Sequence, residues 1–168
     1  PRNVYTSLST AVADNSASTT VVTLTVMGTV TVEEDVDVPA IIRISGDAGS
    51  LLQVGTSDVR GITVDFADGA EFSGIADVDA TMHFANSRNV RGDITSDVTI
   101  ENGNEITYTN VATALAGAQP NDIVTITGQS VEITSDLTVP EQVTLVVPIG
   151  SIVTVYDGVT VTVNGTVD

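Results

Sequence analysis

The sequence predicts an all-β protein of short parallel rungs stacked into a β-helix, in units each opened by a short capping helix. Three observations predict it. Val, Ile and Thr are abundant, whereas aromatic residues make up only 4% and Trp is absent. A core of such β-branched side chains suits a narrow, pleated, layered interior. Short alternating runs recur, broken by Gly, Pro, Asp or Asn, at the spacing of one strand and one turn. The chain also repeats itself, and even spacing of short strands with self-similarity marks a solenoid. A two-sheet sandwich is the alternative, since alternating strands with regular turns also satisfy it.

Taken in order, Ser7–Asp14 reads as a helix, with small and apolar residues at helical spacing behind a residue suited to an N-cap. The runs Val21–Val26, Thr29–Val32, Ile41–Ile44 and Ile62–Phe66 follow as strands, punctuated at Gly28, Pro39, Gly46, Gly49, Gly55, Gly61 and Gly69. The segment Phe72–Glu105 has no later counterpart and reads as further rungs with longer turns. It holds Asp77, Asp79, Asp93, Asp97, Arg88, Arg91 and the one histidine, His83. A second helix is expected over Asn110–Ala118, stopped by Gly117 and Pro120. Ile123–Thr127, Val143–Val147, Ile152–Tyr156 and Val159–Val163 are the later strands.

The repeat sets the organisation. The stretch Val4-Tyr5-Thr6-Ser7-Leu8 is echoed by Thr107-Tyr108-Thr109-Asn110-Val111, with the tyrosines 108 − 5 = 103 positions apart. Val36-Asp37-Val38-Pro39 is echoed by Leu137-Thr138-Val139-Pro140, with the prolines 140 − 39 = 101 apart. Gly49-Ser50-Leu51-Leu52 is echoed by Gly150-Ser151-Ile152-Val153 at the same offset, 150 − 49 = 101. An offset that barely drifts indicates a duplicated unit. A helix ahead of stacked strands shields edges that would otherwise recruit other chains, so a second such helix implies a second start. The expected division is residues 1–104, a first β-helical unit with longer turns, and 105–168, a second unit with an open C-terminal end.

The order of helix, Val/Ile/Thr strand ending at Gly128, Leu137-Thr138-Val139-Pro140, Val143-Thr144-Leu145 and Gly150-Ser151-Ile152-Val153 resembles the opening of pectin-lyase-like right-handed β-helices. The resemblance covers the start of each unit. It implies the fold of a superfamily that includes polysaccharide lyases and hydrolases, adhesins, and the tailspikes and fibres of bacterial viruses. It implies fold more than activity, because function resides in sites grafted on folds.

Charge narrows the partners. Acidic residues number 22 against 5 basic ones, all arginine, for a net charge of −17. Such a chain is repelled by phosphate backbones and anionic membrane surfaces, so neither nucleic acid nor membrane insertion is expected. No apolar run is long enough to span a bilayer. Without lysine there is no phosphate-binding loop, and no Gly-x-Ser-x-Gly elbow is present. One His and no Cys are too few for a zinc site of the usual kind. Asp35 with Asp37, and Asp77 with Asp79, share strand faces. Glycoside hydrolysis needs two carboxylates about 5–9.5 Å apart, although paired surface aspartates are usually solvated charge. Lyases of the resembled superfamily use a basic residue beside calcium, and here only arginines are present. Asp65, Asp68 and Glu71, around the Gly69 turn, are the candidate ligands of a structural Ca²⁺; an acidic turn is the plainer reading, and no other cofactor is expected. Asn164-Gly165-Thr166 matches a glycosylation sequon.

The expected function is therefore a non-catalytic structural subunit at a virion or extracellular surface: a fibre, spike or decoration protein, or an extracellular filament. Its partners would be copies of itself or other subunits. The alternatives are a carbohydrate-binding or carbohydrate-cleaving β-helix, with Asp77 and Asp79 as the acidic pair, and an adhesin-like module that binds a surface glycan.

Overall fold

The computed structural model describes residues 3–168 and is an all-β solenoid of about seven turns. Helix α1 (Leu8–Asn15) opens it. The Ser7 hydroxyl caps this helix by accepting from the Thr10 amide at 3.2 Å. Leu8, Ala11 and Val12, at i, i+3 and i+4, are its buried stripe. The stripe lies over β2 (Thr29–Val32) and β3 (Val36–Val38). The Ser9 hydroxyl bonds the Glu34 carboxylate in the turn between them.

Three parallel ladders build the first stack. One is β1 (Val22–Val26), β4 (Ile42–Gly46) and β7 (Glu71–Ser73). The second is β2, β5 (Leu51–Val54), β8 (Ile75–Val78) and β10 (Asp93–Thr95). The third is β3, β6 (Thr63–Phe66) and β9 (Thr81–Phe84). Parallel register sets like positions above one another, so Val32, Val54 and Val78 form one inward column and Val38, Phe66 and Phe84 another. Phe66 and Phe84 stack at 4.4 Å between ring centres, nearly parallel at 20°. Every second residue faces this core. The parallel ladders set the sandwich alternative aside, since a sandwich pairs its strands antiparallel.

The sense of pairing changes at the joint. Strand β12 (Glu105–Thr109) runs antiparallel to β9, β11 (Val98–Asn102) antiparallel to β12, and β13 (Ile123–Ile126) antiparallel to β11. The β11–β12 hairpin turns through Gly103-Asn104, with Gly103 at φ +62°, as a two-residue hairpin requires. With β16 (Thr144–Val146) and β19 (Thr166–Val167), an eight-stranded sheet runs the length of the molecule in the order β19-β16-β13-β11-β12-β9-β6-β3. Within it β11 and β12 stand in the reverse of their chain order. Ile106 and Tyr108 lie opposite Phe84 and Met82 and pack on the first core. Val98 and Ile100 lie opposite Thr109 and Thr107, on the other face, and join Val124 and Ile126 in the second core. The two cores thus occupy opposite faces of one sheet. Reversing both strand direction and inward face amounts to a half-turn about the stacking axis, which preserves the hand of the coil.

The second stack repeats the first. Helix α2 (Val111–Gly117) is capped by Asn110, whose Oδ1 accepts from the Thr113 amide at 2.8 Å. It buries Val111, Ala114 and Leu115, the counterparts of Leu8, Ala11 and Val12. Strands β13, β14 (Ser130–Ile133) and β15 (Leu137–Val139) form one rung. Strands β16, β17 (Ile152–Val155) and β18 (Val161–Val163) form the next, and β19 begins a third. The repeat extends to side-chain bonds. Asp35 Oδ1 accepts from the Thr63 amide of the following rung at 2.8 Å, and Asp136 Oδ1 accepts from the Thr160 amide at 2.8 Å. One turn differs: residues 55–62 join β5 to β6, whereas the shorter 156–160 joins β17 to β18.

Candidate functional site

The longer turn carries Arg60 to the joint between the stacks. There a crevice is lined by Arg60, Asp97, Asn110, Val111, Glu132 and Ser135. Asp97 lies in the turn between β10 and β11. Its Oδ2 accepts from the Val111 amide at 3.3 Å, at the start of α2. Its backbone carbonyl accepts from the Thr127 and Gly128 amides at 2.9 and 3.1 Å. Asp77 points outward from β8, and Asp79 sits in the turn beyond it. The Asp79 carboxylate accepts from Gln53 Nε2 at 3.1 Å, and its carbonyl accepts from Asn110 Nδ2 at 2.8 Å.

Burial raises the Asp97 pKa above its ordinary value; Asp79 and Asp77 add to this, while the Val111 amide and Arg60 oppose it. Asp77 is raised too, by burial first and then by Asp79. The carboxylates of Asp77 and Asp79 thus act on Asp97, which Arg60 also faces, and the sequence linked neither Asp97 nor Arg60 to that pair. Carboxylates held toward their neutral form beside amide donors can serve acid–base chemistry or bind hydroxyls. The same bonds also satisfy backbone amides that open α2 and fasten β13.

The candidate calcium ligands take separate partners. Asp65 Oδ1 meets His83 Nδ1 at 2.7 Å, because the parallel register places Asp37, Asp65 and His83 in one outward row. His83 Nε2 lies 3.8 Å from Glu105 Oε2 on β12. Asp68 Oδ1 accepts from Asn86 Nδ2 at 3.1 Å. Glu71 pairs with Arg43 Nε at 3.2 Å and Arg91 Nη2 at 3.7 Å. Among the described residues no three His, Cys, Asp or Glu side chains are grouped to hold a metal ion. Asn164 is exposed in the turn between β18 and β19.

The terminal rung is the second feature. Strands β17, β18 and β19 each pair on one side only, with β14, β15 and β16. Val139 is 0% exposed, and Val163, the residue paired with it in the next rung, is 50% exposed. Likewise Val155 and Val167 stand over buried Ile133 and Leu145, yet are 45% and 49% exposed. The inward columns thus run on into a layer that no described residue covers. Between Glu141 and Asp168 the only charged residue is Asp157. Comparison of this chain with family models, curated proteins and solved structures finds no match.

Proposed function

We propose that this chain is a non-catalytic structural module of a multimeric assembly, with a virion fibre, spike or decoration protein as the leading setting and an extracellular filament next. The observation that carries this reading is the terminal rung, whose three strand edges and valine columns no described residue covers. Unpaired backbone groups and apolar surface gain free energy when another strand covers them. The pectin-lyase-like resemblance adds tailspikes, fibres and adhesins as settings in which such rods occur. Sedimentation velocity across concentration, with and without Ca²⁺, followed by electron microscopy of any large species, tests the proposal. Concentration-dependent growth is expected, and a monomer under every condition would sink it.

The raised Asp77 and Asp97 favour a second reading, carbohydrate binding or cleavage at the joint. It requires polysaccharide binding or chain cleavage that Asp77→Asn or Asp97→Asn abolishes while the fold is retained. Adhesin-like binding of a surface glycan would differ from both by a ligand-dependent rise in Tm without self-association or cleavage.

A further inference from the structure

We infer that Asn102 is a site of spontaneous covalent modification, in which the Gly103 amide nitrogen attacks its side-chain amide, and that the product loosens the joint between the stacks. The chain has two Asn-Gly pairs, Asn102-Gly103 and Asn164-Gly165. Glycine offers such an attack the least steric resistance, because no Cβ shields its nitrogen. The fold treats the two pairs differently.

Asn102 ends β11 and Gly103 opens the hairpin turn, and both are exposed. The Gly103 amide has no hydrogen-bond partner among the described residues. A Cβ added at Gly103 would meet nothing within 4 Å. The turn is held on its other side, where the Asn104 carbonyl accepts from the Ser87 amide at 2.7 Å. Bringing Asn102 Cγ to the Gly103 nitrogen requires rotation about the Asn102 Cα–C bond. That rotation opens only the last pair of the ladder, Asn102 with Glu105. Asn164 is exposed as well, but its backbone is clamped. The Asn164 and Gly165 amides both donate to the Val139 carbonyl, at 3.0 and 3.2 Å. A Cβ added at Gly165 would lie 2.2 Å from the Pro140 carbonyl oxygen and 2.3 Å from that of Val143, so this glycine is seated on the rung below. Rotation at Asn164 must unseat it, and a hydrogen-bonded amide keeps the proton it has to lose to become a nucleophile.

In the reaction the Gly103 nitrogen gives its proton to hydroxide and bonds to Asn102 Cγ. The Cγ–Nδ2 bond breaks, and Nδ2 takes a proton from water and leaves as ammonia. Water then opens the cyclic imide at either carbonyl. One opening leaves aspartate; the other leaves isoaspartate, with an extra methylene in the backbone. Both products set a carboxylate directly across from Glu105 and next to Glu101, and like charges opposed across a ladder destabilise it. The weakened ladder is the one whose strands pack in both cores, Val98 and Ile100 in one and Ile106 and Tyr108 in the other.

The folded chain is aged in mildly alkaline buffer and digested, and its peptides are followed by mass and by isoaspartate detection. Asn102 is expected to convert at least about tenfold faster than Asn164, because the clamped site reacts only after local opening. In urea the two should convert at similar rates. The modified chain, separated by its added charge, should unfold at a lower urea concentration than the unmodified chain. Asn102→Gln, whose longer side chain must close a larger and slower-forming ring, should keep its midpoint when aged in parallel. Asn102→Asp should lower the midpoint at low ionic strength and recover part of the loss in salt. Equal rates at Asn102 and Asn164 in the folded chain, or no conversion at Asn102 while the unfolded chain converts, overturns the site. An unchanged midpoint in the modified fraction overturns its action on the joint.

Discussion

At the scale of single residues, Asp97 does opposing things. It holds the Val111 amide and, through its carbonyl, two amides that anchor β13. It also adds a half-buried carboxylate beside Asp77 and Asp79. Asp77 and Asp97 both have folded-state pKa values raised above 3.8. The folded chain therefore binds their protons more tightly than the unfolded chain. Their stabilising effect is complete below the unfolded value and is lost as pH rises through the folded one. Lowering the pH from neutral toward the ordinary carboxylate range is thus expected to raise Tm. Asp97→Asn, which keeps an oxygen acceptor for Val111, should raise Tm at neutral pH and flatten that dependence; thermal melts from acid to neutral pH check both. The acidic turn carries a separate expectation. Asp65, Asp68 and Glu71 are already bonded to His83, Asn86, Arg43 and Arg91, so Ca²⁺ must break those bonds to bind. Millimolar Ca²⁺ is expected to move Tm no further than Mg²⁺ does, whereas a Ca²⁺-specific rise lost in Asp68→Asn would establish the site.

At the scale of elements, the two capping helices are the same device in different surroundings. Helix α1 lies over β2 and β3 of the first rung, and α2 starts a rung at the joint between the stacks. Ser7 caps through one amide. Asn110 caps through Thr113 and also donates to the Asp79 carbonyl, and it is only 4% exposed. Loss of an N-cap costs about 1 kcal/mol, and leaving the part-buried Asp79 carbonyl without its donor adds to that cost. Asn110→Ala should therefore destabilise the chain more than Ser7→Ala, as the urea midpoints of the two variants will show. Leu115→Ala removes the deepest side chain of α2, at 1% exposure, and is expected to cost about 2–5 kcal/mol. The helices themselves were legible because Ser7 and Asn110 precede stripes at helical spacing. The hairpin is less legible, although Gly103-Asn104 between two alternating runs is a turn signal of the kind that joins antiparallel strands.

At the scale of the whole molecule, the hairpin interlocks the stacks. Strand β11 comes first in the chain and packs in the second core; β12 follows and packs in the first. Solenoid stability is a sum of neighbour contacts, and here the neighbours at the joint come from both sides of residue 104. A fragment of residues 1–104 lacks β12 over β9 and leaves Val98 and Ile100 without their core. It should unfold at a much lower urea concentration than the intact chain, which should unfold in one transition by both fluorescence and circular dichroism. Two separate transitions in the intact chain would show instead that the shared sheet fails to couple the cores.

The amino-acid sequence by itself determined the β-solenoid class, the two capping helices and the duplication. Each of these rests on local periodicity and on spacing along the chain. Val38 and Val139 could be placed on inward faces because alternation is a property of each strand alone. The tertiary structure decided where the stacks meet. The reversal at β12, the placing of the cores on opposite faces of one sheet, and the approach of Arg60 to Asp97 all join residues distant in the chain. Alternation gives a strand its inward face, but it does not say which strand lies beside it or in which direction that neighbour runs. Those are set by side-chain packing and backbone hydrogen bonds across the joint, which form only once the chain has folded.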